Sequence, residues 1–71
     1  MPFHDGDRVW LKEFREGVIH EPRQEGTVVG EYEPWSDTYR ISIDKQYRLY
    51  AEDDGLREVP AWQVEGHDAN T

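Results

Sequence analysis

The chain has 71 residues, 16 of them acidic and 8 basic, and its formal net charge is -8. This length allows one domain with a small hydrophobic core. Because the chain contains no cysteine, disulfides and thiolate zinc sites are excluded. The excess of carboxylates makes unaided binding to nucleic-acid phosphates unfavourable. The acidity either serves solubility or steers the protein towards basic partner surfaces.

The sequence shows no targeting or membrane signal. No basic segment followed by an apolar run lies near the N-terminus, as a secretory signal would require. No apolar stretch approaches the roughly 20 residues that span a bilayer. We therefore expect a cytoplasmic protein without membrane association.

The predicted elements begin after a flexible N-terminal arm, residues 1–5. A turn signal follows, and residues 8–12 are predicted as the first strand. Val9 and Leu11 share the inward face of this strand. Trp10 then lies either on the outer surface or folded over one end of a barrel.

A long connection is predicted next. Residues 13–25 are polar and irregular, and Val18 and Ile19 are their only adjacent apolar pair. A connection of this length is either an ordinary excursion between two strands or a binding loop.

The centre of the chain predicts an antiparallel hairpin. Residues 26–32 and 38–43 are rich in β-branched side chains, and the second segment alternates apolar and polar residues. The tip between them, residues 33–37, contains a proline and short polar side chains that favour turns. We expect a small β-barrel around this hairpin.

The C-terminal third predicts several short elements. Proline ends a strand because it has no N–H to donate to the neighbouring strand. The Asp-Gly pair at residues 54 and 55 supplies the positive φ of a tight turn. In chain order, we predict a strand at 47–51, a turn at 52–55, a strand at 56–59, a helical turn at 60–63, a closing strand at 64–65 and a disordered tail at 66–71.

The order of four short segments resembles that of an SH3-like barrel. They are Gly6-Asp7-Arg8-Val9, Glu25-Gly26-Thr27-Val28-Val29, Tyr39-Arg40-Ile41 and Val59-Pro60-Ala61-Trp62-Gln63-Val64. The resemblance extends to KOW- and Tudor-type modules and to small bacterial and phage proteins. It implies an all-β domain over residues 6–65: a small SH3-like barrel of about five antiparallel strands with one short helical turn near the C-terminus.

A second, more distant resemblance is to the plasmid-borne, trimethoprim-resistant dihydrofolate reductase, a tetramer of SH3-like barrels. It is carried by residues 6–9, by Val29-Gly30-Glu31-Tyr32 and by Val59-Pro60-Ala61. That family's active site uses a Val-Gln-Ile-Tyr strand before the proline, whereas this chain has Leu56-Arg57-Glu58-Val59. Because the glutamine and tyrosine of the pore are missing, we do not expect folate reduction.

The sequence offers no pattern typical of metal binding or nucleophilic catalysis. His4, His20 and His67 show no metal-ligand spacing. Ser36 and Ser42 have neither a base placed by the sequence nor a glycine-rich elbow. We expect no metal site and no cofactor, and we interpret the chain as a protein that is not an enzyme.

The aromatic residues carry more information. Three tryptophans, four tyrosines and two phenylalanines are more than a small barrel buries, and we expect Trp10, Tyr32, Trp35, Tyr47 and Tyr50 to be partly exposed. With neighbouring acids they form a cage for a cationic side chain or a protein-interface hot spot. The third alternative is that they only cover the ends of a thin core.

These observations predict a non-enzymatic, acidic protein-binding module whose partner has a basic or mixed surface. The predicted partner-binding residues are Trp10, Glu31, Tyr32, Glu33, Trp35, Asp37 and Tyr50. The oligomeric state, monomer or small homo-oligomer, stays open.

The alternative prediction is a role related to nucleic acid. Arg8, Lys12, Arg15 and Arg23 form at most a weak basic cluster, and direct nucleic-acid binding is not expected. An adaptor in a transcription or translation complex, or an acidic decoy that imitates nucleic acid, fits the charge. An accessory protein of a phage or mobile element is compatible with both hypotheses.

Overall fold

The computed structural model describes residues 3–48 and 54–70, and in these residues the fold is all-β, as predicted. The strands are β1 (Arg8–Leu11), β2 (Phe14–Glu16), β3 (Ile19–Glu21), β4 (Gln24–Val28), β5 (Thr38–Ile43), β6 (Leu56–Pro60) and β7 (Val64–Gly66). Five of them form an antiparallel sheet in the order β6-β5-β4-β1-β7, while β2 and β3 form a separate hairpin.

The alternation predicted for β1 and β5 is confirmed. Val9 and Leu11 are buried, whereas Trp10 is only partly buried. Along β5 the side chains that face inward alternate with polar ones, because one face of the sheet packs on the core and the other meets water. The buried hydrophobic side chains are Val9, Leu11, Val28, Tyr39, Ile41, Ile43, Val59 and Val64.

The central hairpin joins β4 to β5, with Val28 opposite Ile41 and Gly26 opposite Ile43. A Cβ atom at Gly26 would lie 2.6 Å from Ile41 Cγ2 and 2.7 Å from the Ser42 carbonyl oxygen, so this close approach requires glycine. The strand ends earlier than predicted. Gly30 has a φ of 79°, and this left-handed conformation turns the chain out of the ladder.

The prediction of an irregular connection at residues 13–25 is wrong. The segment contains the β2–β3 hairpin and the first two residues of β4. Gly17 has a φ of 59° in the turn between β2 and β3. Since all three side chains of β3 are exposed, this hairpin lacks the alternation by which a half-buried strand is recognised.

From Leu56 onwards, the C-terminal elements follow the predicted order with shifted bounds. The predicted helical turn is the 3-10 turn Ala61–Gln63, and further 3-10 turns are Lys45–Tyr47 and Asp68–Asn70. Tyr47 therefore ends a 3-10 turn, where a strand over 47–51 was predicted, and residues 49–51 lie outside the described part. Of the predicted turn at 52–55, only the last two residues are described.

The predicted barrel is not closed. The edge strands β6 and β7 do not pair with each other in the described residues. Described residues near both termini nevertheless contact the sheet. Phe3, in the predicted arm, packs against the core cluster, and His67, in the predicted tail, lies 2.7 Å from Glu25 through its Nε2.

Candidate interaction site

The N-terminal segment and the β4–β5 connection meet at one end of the large sheet. We call this region, residues 3–7 and 29–38, the tip patch. The Gly6 N–H donates to the Val28 carbonyl oxygen at 2.8 Å. The Gly30 N–H donates to Asp5 Oδ1 at 2.7 Å, and the Asp5 N–H donates to Glu31 Oε2 at 3.3 Å. These bonds join two segments that are far apart in sequence.

Asp37 holds the β4–β5 connection in place. Its φ is 55°, a left-handed conformation that aspartate tolerates better than most residues. Its carbonyl oxygen accepts a hydrogen bond from the Ala61 N–H at 3.0 Å. The Asp37 carboxylate accepts a short hydrogen bond from the Tyr32 hydroxyl, and this bond raises the pKa of Tyr32 above its ordinary value.

Three aromatic rings line a depression at the patch. The Tyr32 and Tyr39 ring centroids are 5.1 Å apart, and those of Phe3 and Tyr39 are 5.7 Å apart. The Phe3 N–H donates to the Tyr39 hydroxyl at 3.0 Å. The depression has a volume of about 680 Å³ and includes Asp37 in its wall. Trp35 lies in the same connection with 80% of its surface exposed.

The tip patch is acidic and contains no lysine or arginine. Among the described residues, no lysine or arginine pairs with its carboxylates either, and only His4 Nδ1 approaches one, at 3.3 Å from Glu31 Oε1. The five carboxylates are those of Asp5, Asp7, Glu31, Glu33 and Asp37. Their negative charge is therefore balanced by solvent ions or by a partner.

A second cluster of charges lies on the outer face of the sheet. We call it the outer-face network: Arg8, Glu25, Asp44, Tyr47 and His67. Arg8 donates to both Asp44 carboxylate oxygens, at 2.7 and 2.6 Å, and lies 3.6 Å from Glu25 Oε2. The Tyr47 hydroxyl donates to Glu25 Oε1 at 3.0 Å. Every acid in this network has a partner.

The network keeps its carboxylates ionised. Hydrogen bonding to Arg8 lowers the pKa of Asp44, and hydrogen bonding to His67 lowers the pKa of Glu25. The Ala69 N–H donates to His67 Nδ1 at 3.0 Å, so the other ring nitrogen, Nε2, carries the proton and donates to Glu25. Because both ring nitrogens are engaged, this histidine serves as a structural link.

Trp10 belongs to this outer face. Its ring stacks on His67 with a centroid distance of 5.1 Å and an interplanar angle of 16°. The Arg23 guanidinium carbon lies 3.8 Å from the centroid of the same ring. Trp10 thus packs against Arg23 and His67 and is not part of the tip patch.

The structure brings together five of the predicted site residues. Glu31, Tyr32, Glu33, Trp35 and Asp37 all lie in the β4–β5 connection. Trp10 lies elsewhere, and Tyr50 lies outside the described residues.

Phe3 and Tyr39 complete the depression but were not among the predicted site residues. The position of Tyr39 could have been predicted from the sequence, since this residue begins the apolar alternation of β5. Phe3 carried only its own apolar character within a polar arm, and its contact spans 36 residues of sequence.

The arginines of the predicted basic cluster lie beside carboxylates. Arg8 pairs with Asp44. Arg23 lies 3.7 Å from Glu65, and Arg15 lies 3.8 Å from Glu13. Such pairing leaves little net positive charge for phosphate contacts.

Comparisons with family models, curated proteins and solved structures find no match for this chain. Within residues 3–48 and 54–70, no helix has the length and apolar character needed to cross a membrane. The same residues contain no group of three or more histidines and carboxylates arranged to hold a metal ion.

Proposed function

We propose that this protein is a non-enzymatic binding module that engages a basic or mixed protein surface through the tip patch. The observation that carries the proposal is the contrast in pairing, since the five carboxylates of the patch have no described lysine or arginine partner. Elsewhere, four carboxylates lie within 3.8 Å of an arginine: those of Glu13, Glu25, Asp44 and Glu65. A partner that supplies cations would neutralise this end of the sheet.

We further propose that the fold is of the SH3-like type, with the sheet left open between β6 and β7 in the described residues. The strand order β6-β5-β4-β1-β7, with a 3-10 turn between the last two strands of the chain, supports this assignment. The sequence resemblance over residues 5–65 points the same way. The fold alone does not define the partner, because one fold hosts many functions.

Exposed aromatic side chains supply the affinity in this proposal. Trp35 is the most exposed aromatic side chain among the described residues, and tryptophan is enriched at interface hot spots. Tyr32 presents its ring at the depression while its hydroxyl is fixed by Asp37. The carboxylates accelerate the encounter, so the association rate falls as the salt concentration rises.

Among the described residues, one carboxylate–histidine pair has most of its surface buried, and its hydrogen bonds argue against a catalytic role. Glu25 and His67 are 17–19% exposed at their side chains, but neither ring nitrogen of His67 is available to transfer a proton to a substrate. The tip patch places no histidine beside a serine hydroxyl in the described residues.

A pull-down from lysate of the source cell at low salt tests the proposal. The tagged protein is compared with a double variant of the patch, Trp35→Ala with Glu33→Lys. The control, Val18→Ala with Glu16→Lys, truncates another exposed apolar side chain and reverses another exposed acid, both away from the patch.

We expect one basic partner that salt releases, that the patch variant loses and that the control retains. Loss from the control but not from the patch variant would overturn the assignment of the surface. Recovery of DNA-handling proteins whose binding depends on Glu33→Lys alone would favour the acidic decoy instead.

A further inference from the structure

We propose that the edge of β7 that faces away from β1 pairs with an extended peptide segment of the partner protein. The segment adds an antiparallel strand beside β7 and carries an apolar residue flanked by lysine or arginine. This inference rests on the proposed function, because the segment belongs to the partner that the tip patch binds. It specifies how that partner is recognised: by backbone hydrogen bonds, by one apolar side chain and by charge.

The register of β1 and β7 decides which backbone groups of β7 face outwards. In an antiparallel pair, only alternate opposite residues exchange backbone hydrogen bonds. The Lys12 N–H donates to the Gln63 carbonyl oxygen at 2.8 Å, so Trp10 and Glu65 are the next bonded pair in this register. Gly66 lies one position beyond Glu65 and therefore directs its N–H and its carbonyl oxygen away from β1.

The backbone groups on the outer edge of β7 belong to Val64 and Gly66. Val64 lies two positions before Gly66, so its backbone groups face the same edge. The Val64 N–H donates to the Ala61 carbonyl oxygen, which leaves the Val64 carbonyl oxygen and both backbone groups of Gly66. No strand of the described residues pairs with this edge, and Gly66 is exposed. A partner strand finds three backbone groups there, as strand addition requires.

The other edge of the sheet, β6, is protected against strand addition. The Ile43 N–H donates to the Gly55 carbonyl oxygen at 2.8 Å. By the same alternation, Leu56 and Pro60 direct their backbone groups outwards. Pro60 has no N–H, and the Leu56 N–H donates to Asp54 Oδ1 at 3.0 Å. Because proline on an edge strand opposes pairing with another chain, we assign the partner segment to β7.

The depression of the tip patch borders the β7 edge. Val64 and Gly66 line it together with the rings of Phe3, Tyr32 and Tyr39. A Cβ atom at Gly66 would lie 3.9 Å from Phe3 Cε1, so the side-chain direction of Gly66 points towards these rings. Opposite residues of two antiparallel strands place their side chains on the same face. The partner residue opposite Gly66 therefore directs its side chain into the depression, where an aromatic wall favours an apolar group.

The acids of the tip patch determine the charge of the segment. Asp37 lies in the wall of the depression, and the other four carboxylates of the patch, like that of Asp37, have no described lysine or arginine partner. Lysine or arginine on both sides of the apolar residue complements this charge, whereas an acidic segment is repelled.

Four seven-residue peptides, capped at both ends, test the proposal. The parent peptide has a central valine with three lysines on each side. The first variant has N-methylvaline at the centre, which keeps the charge and the side chain but removes the N–H that would donate to the Gly66 carbonyl oxygen. The matched control carries the N-methyl group on the lysine after the valine, whose N–H faces away from β7. The fourth peptide has alanine in place of valine.

The peptides are titrated at low salt into ¹⁵N-labelled protein. We expect the parent peptide to bind saturably, to shift the Gly66 amide signal and to slow the hydrogen exchange of that amide. N-methylvaline should weaken binding by about tenfold, whereas the control should stay within about threefold of the parent. Alanine should weaken binding by about fivefold, because less apolar surface enters the depression.

Equal affinities of the parent and N-methylvaline peptides, with shifts confined to the tip patch, would overturn the strand addition while the proposed function stands. Equal losses from the two N-methyl peptides would also overturn it, since only one of the two N–H groups faces β7. No saturable binding of any of the four peptides would contradict the proposed function and this inference together.

Discussion

The tip patch and the outer-face network are built from the same kinds of side chain, aromatic rings and carboxylates, but they differ in pairing. In the outer-face network, Arg8 and His67 occupy the acids, and Trp10 lies between a guanidinium and an imidazole. In the tip patch, no described lysine or arginine pairs with the acids, and Trp35 is largely exposed.

The same kinds of side chain therefore have a structural role in the outer-face network and a proposed binding role in the tip patch. A paired charge stabilises the fold and contributes little to a partner, because its electrostatic interactions are already satisfied. The acids of the tip patch accept hydrogen bonds within the fold. Their charge has no described lysine or arginine partner, so it remains available for binding beside an exposed ring. Substitutions in the outer-face network should therefore lower the stability of the fold more than matched substitutions in the tip patch.

The largest expected effect on stability is at Arg8. Arg8→Ala leaves Asp44, which is partly buried, without its two charge-assisted hydrogen bonds, so the free energy of unfolding should fall by about 1–3 kcal/mol. Urea denaturation measures this free energy of unfolding. Arg40→Ala on the exposed face of β5 is the control and should change stability by less than about 0.5 kcal/mol. Equal effects of the two substitutions would show that the pairing is not structural.

The second largest expected effect is a difference in stability between the Trp→Ala variants of the two regions. Trp10→Ala removes the stacking on His67 and the contact with Arg23, which together should cost about 1–2 kcal/mol. Trp35→Ala should stay within about 0.5 kcal/mol of the parent, because the side chain is exposed. Thermal unfolding measures both. A destabilised Trp35→Ala variant would mean that the tip patch depends on this ring for its own structure.

The pH dependence of stability should follow the outer-face network. The lowered pKa values of Asp44 and Glu25 mean that the unfolded chain takes up protons at a higher pH than the native state does. The stability that these groups contribute is complete above the ordinary carboxylate range and is lost as the pH falls below about 5. Asp44→Asn should flatten this loss, while Glu16→Gln on β2 should keep the profile of the parent. Parallel profiles for all three proteins would contradict the assignment.

The smallest effect on stability concerns Tyr32 in the tip patch. Its raised pKa means that the native state retains the phenol proton to a higher pH than the unfolded chain. The corresponding stability is present below the ordinary tyrosine pKa and disappears as the pH rises through the raised value. Asp37→Asn should lower the pKa of Tyr32 towards 10.0, the ordinary value. Titration of the Tyr32 ring signals by NMR measures the shift, and an unchanged titration would show that Asp37 is not its cause.

The elements that the sequence predicts well are those in which burial dictates the side-chain pattern. β1 and β5 place alternate residues in the core, so the alternation can be recognised in the amino-acid sequence. The 3-10 turn after Pro60 follows a proline, which ends a strand because it has no N–H to donate. This effect is local and is therefore visible in the sequence.

Features that depend on distant contacts were not predictable in this way. The β2–β3 hairpin buries almost nothing, so no hydrophobic alternation marks it. The site is similar: the acids and Trp35 in the β4–β5 connection were predictable, but the packing of Phe3 on Tyr39 and the bond between His67 and Glu25 join residues more than 35 positions apart.

The central claim is that the acids of the tip patch, which no described lysine or arginine pairs, form the binding surface. It is tested most directly with a ten-residue oligolysine peptide. The peptide is added at low salt to ¹⁵N-labelled protein, and the three indole signals and the backbone amides are followed. We expect the largest shifts at Trp35 and at residues 3–7 and 29–38, with Trp10 and Trp62 nearly unchanged and with all shifts suppressed by added salt. Equal shifts at the three tryptophans, or the largest shift at Trp10, would contradict the claim that pairing decides which acids bind.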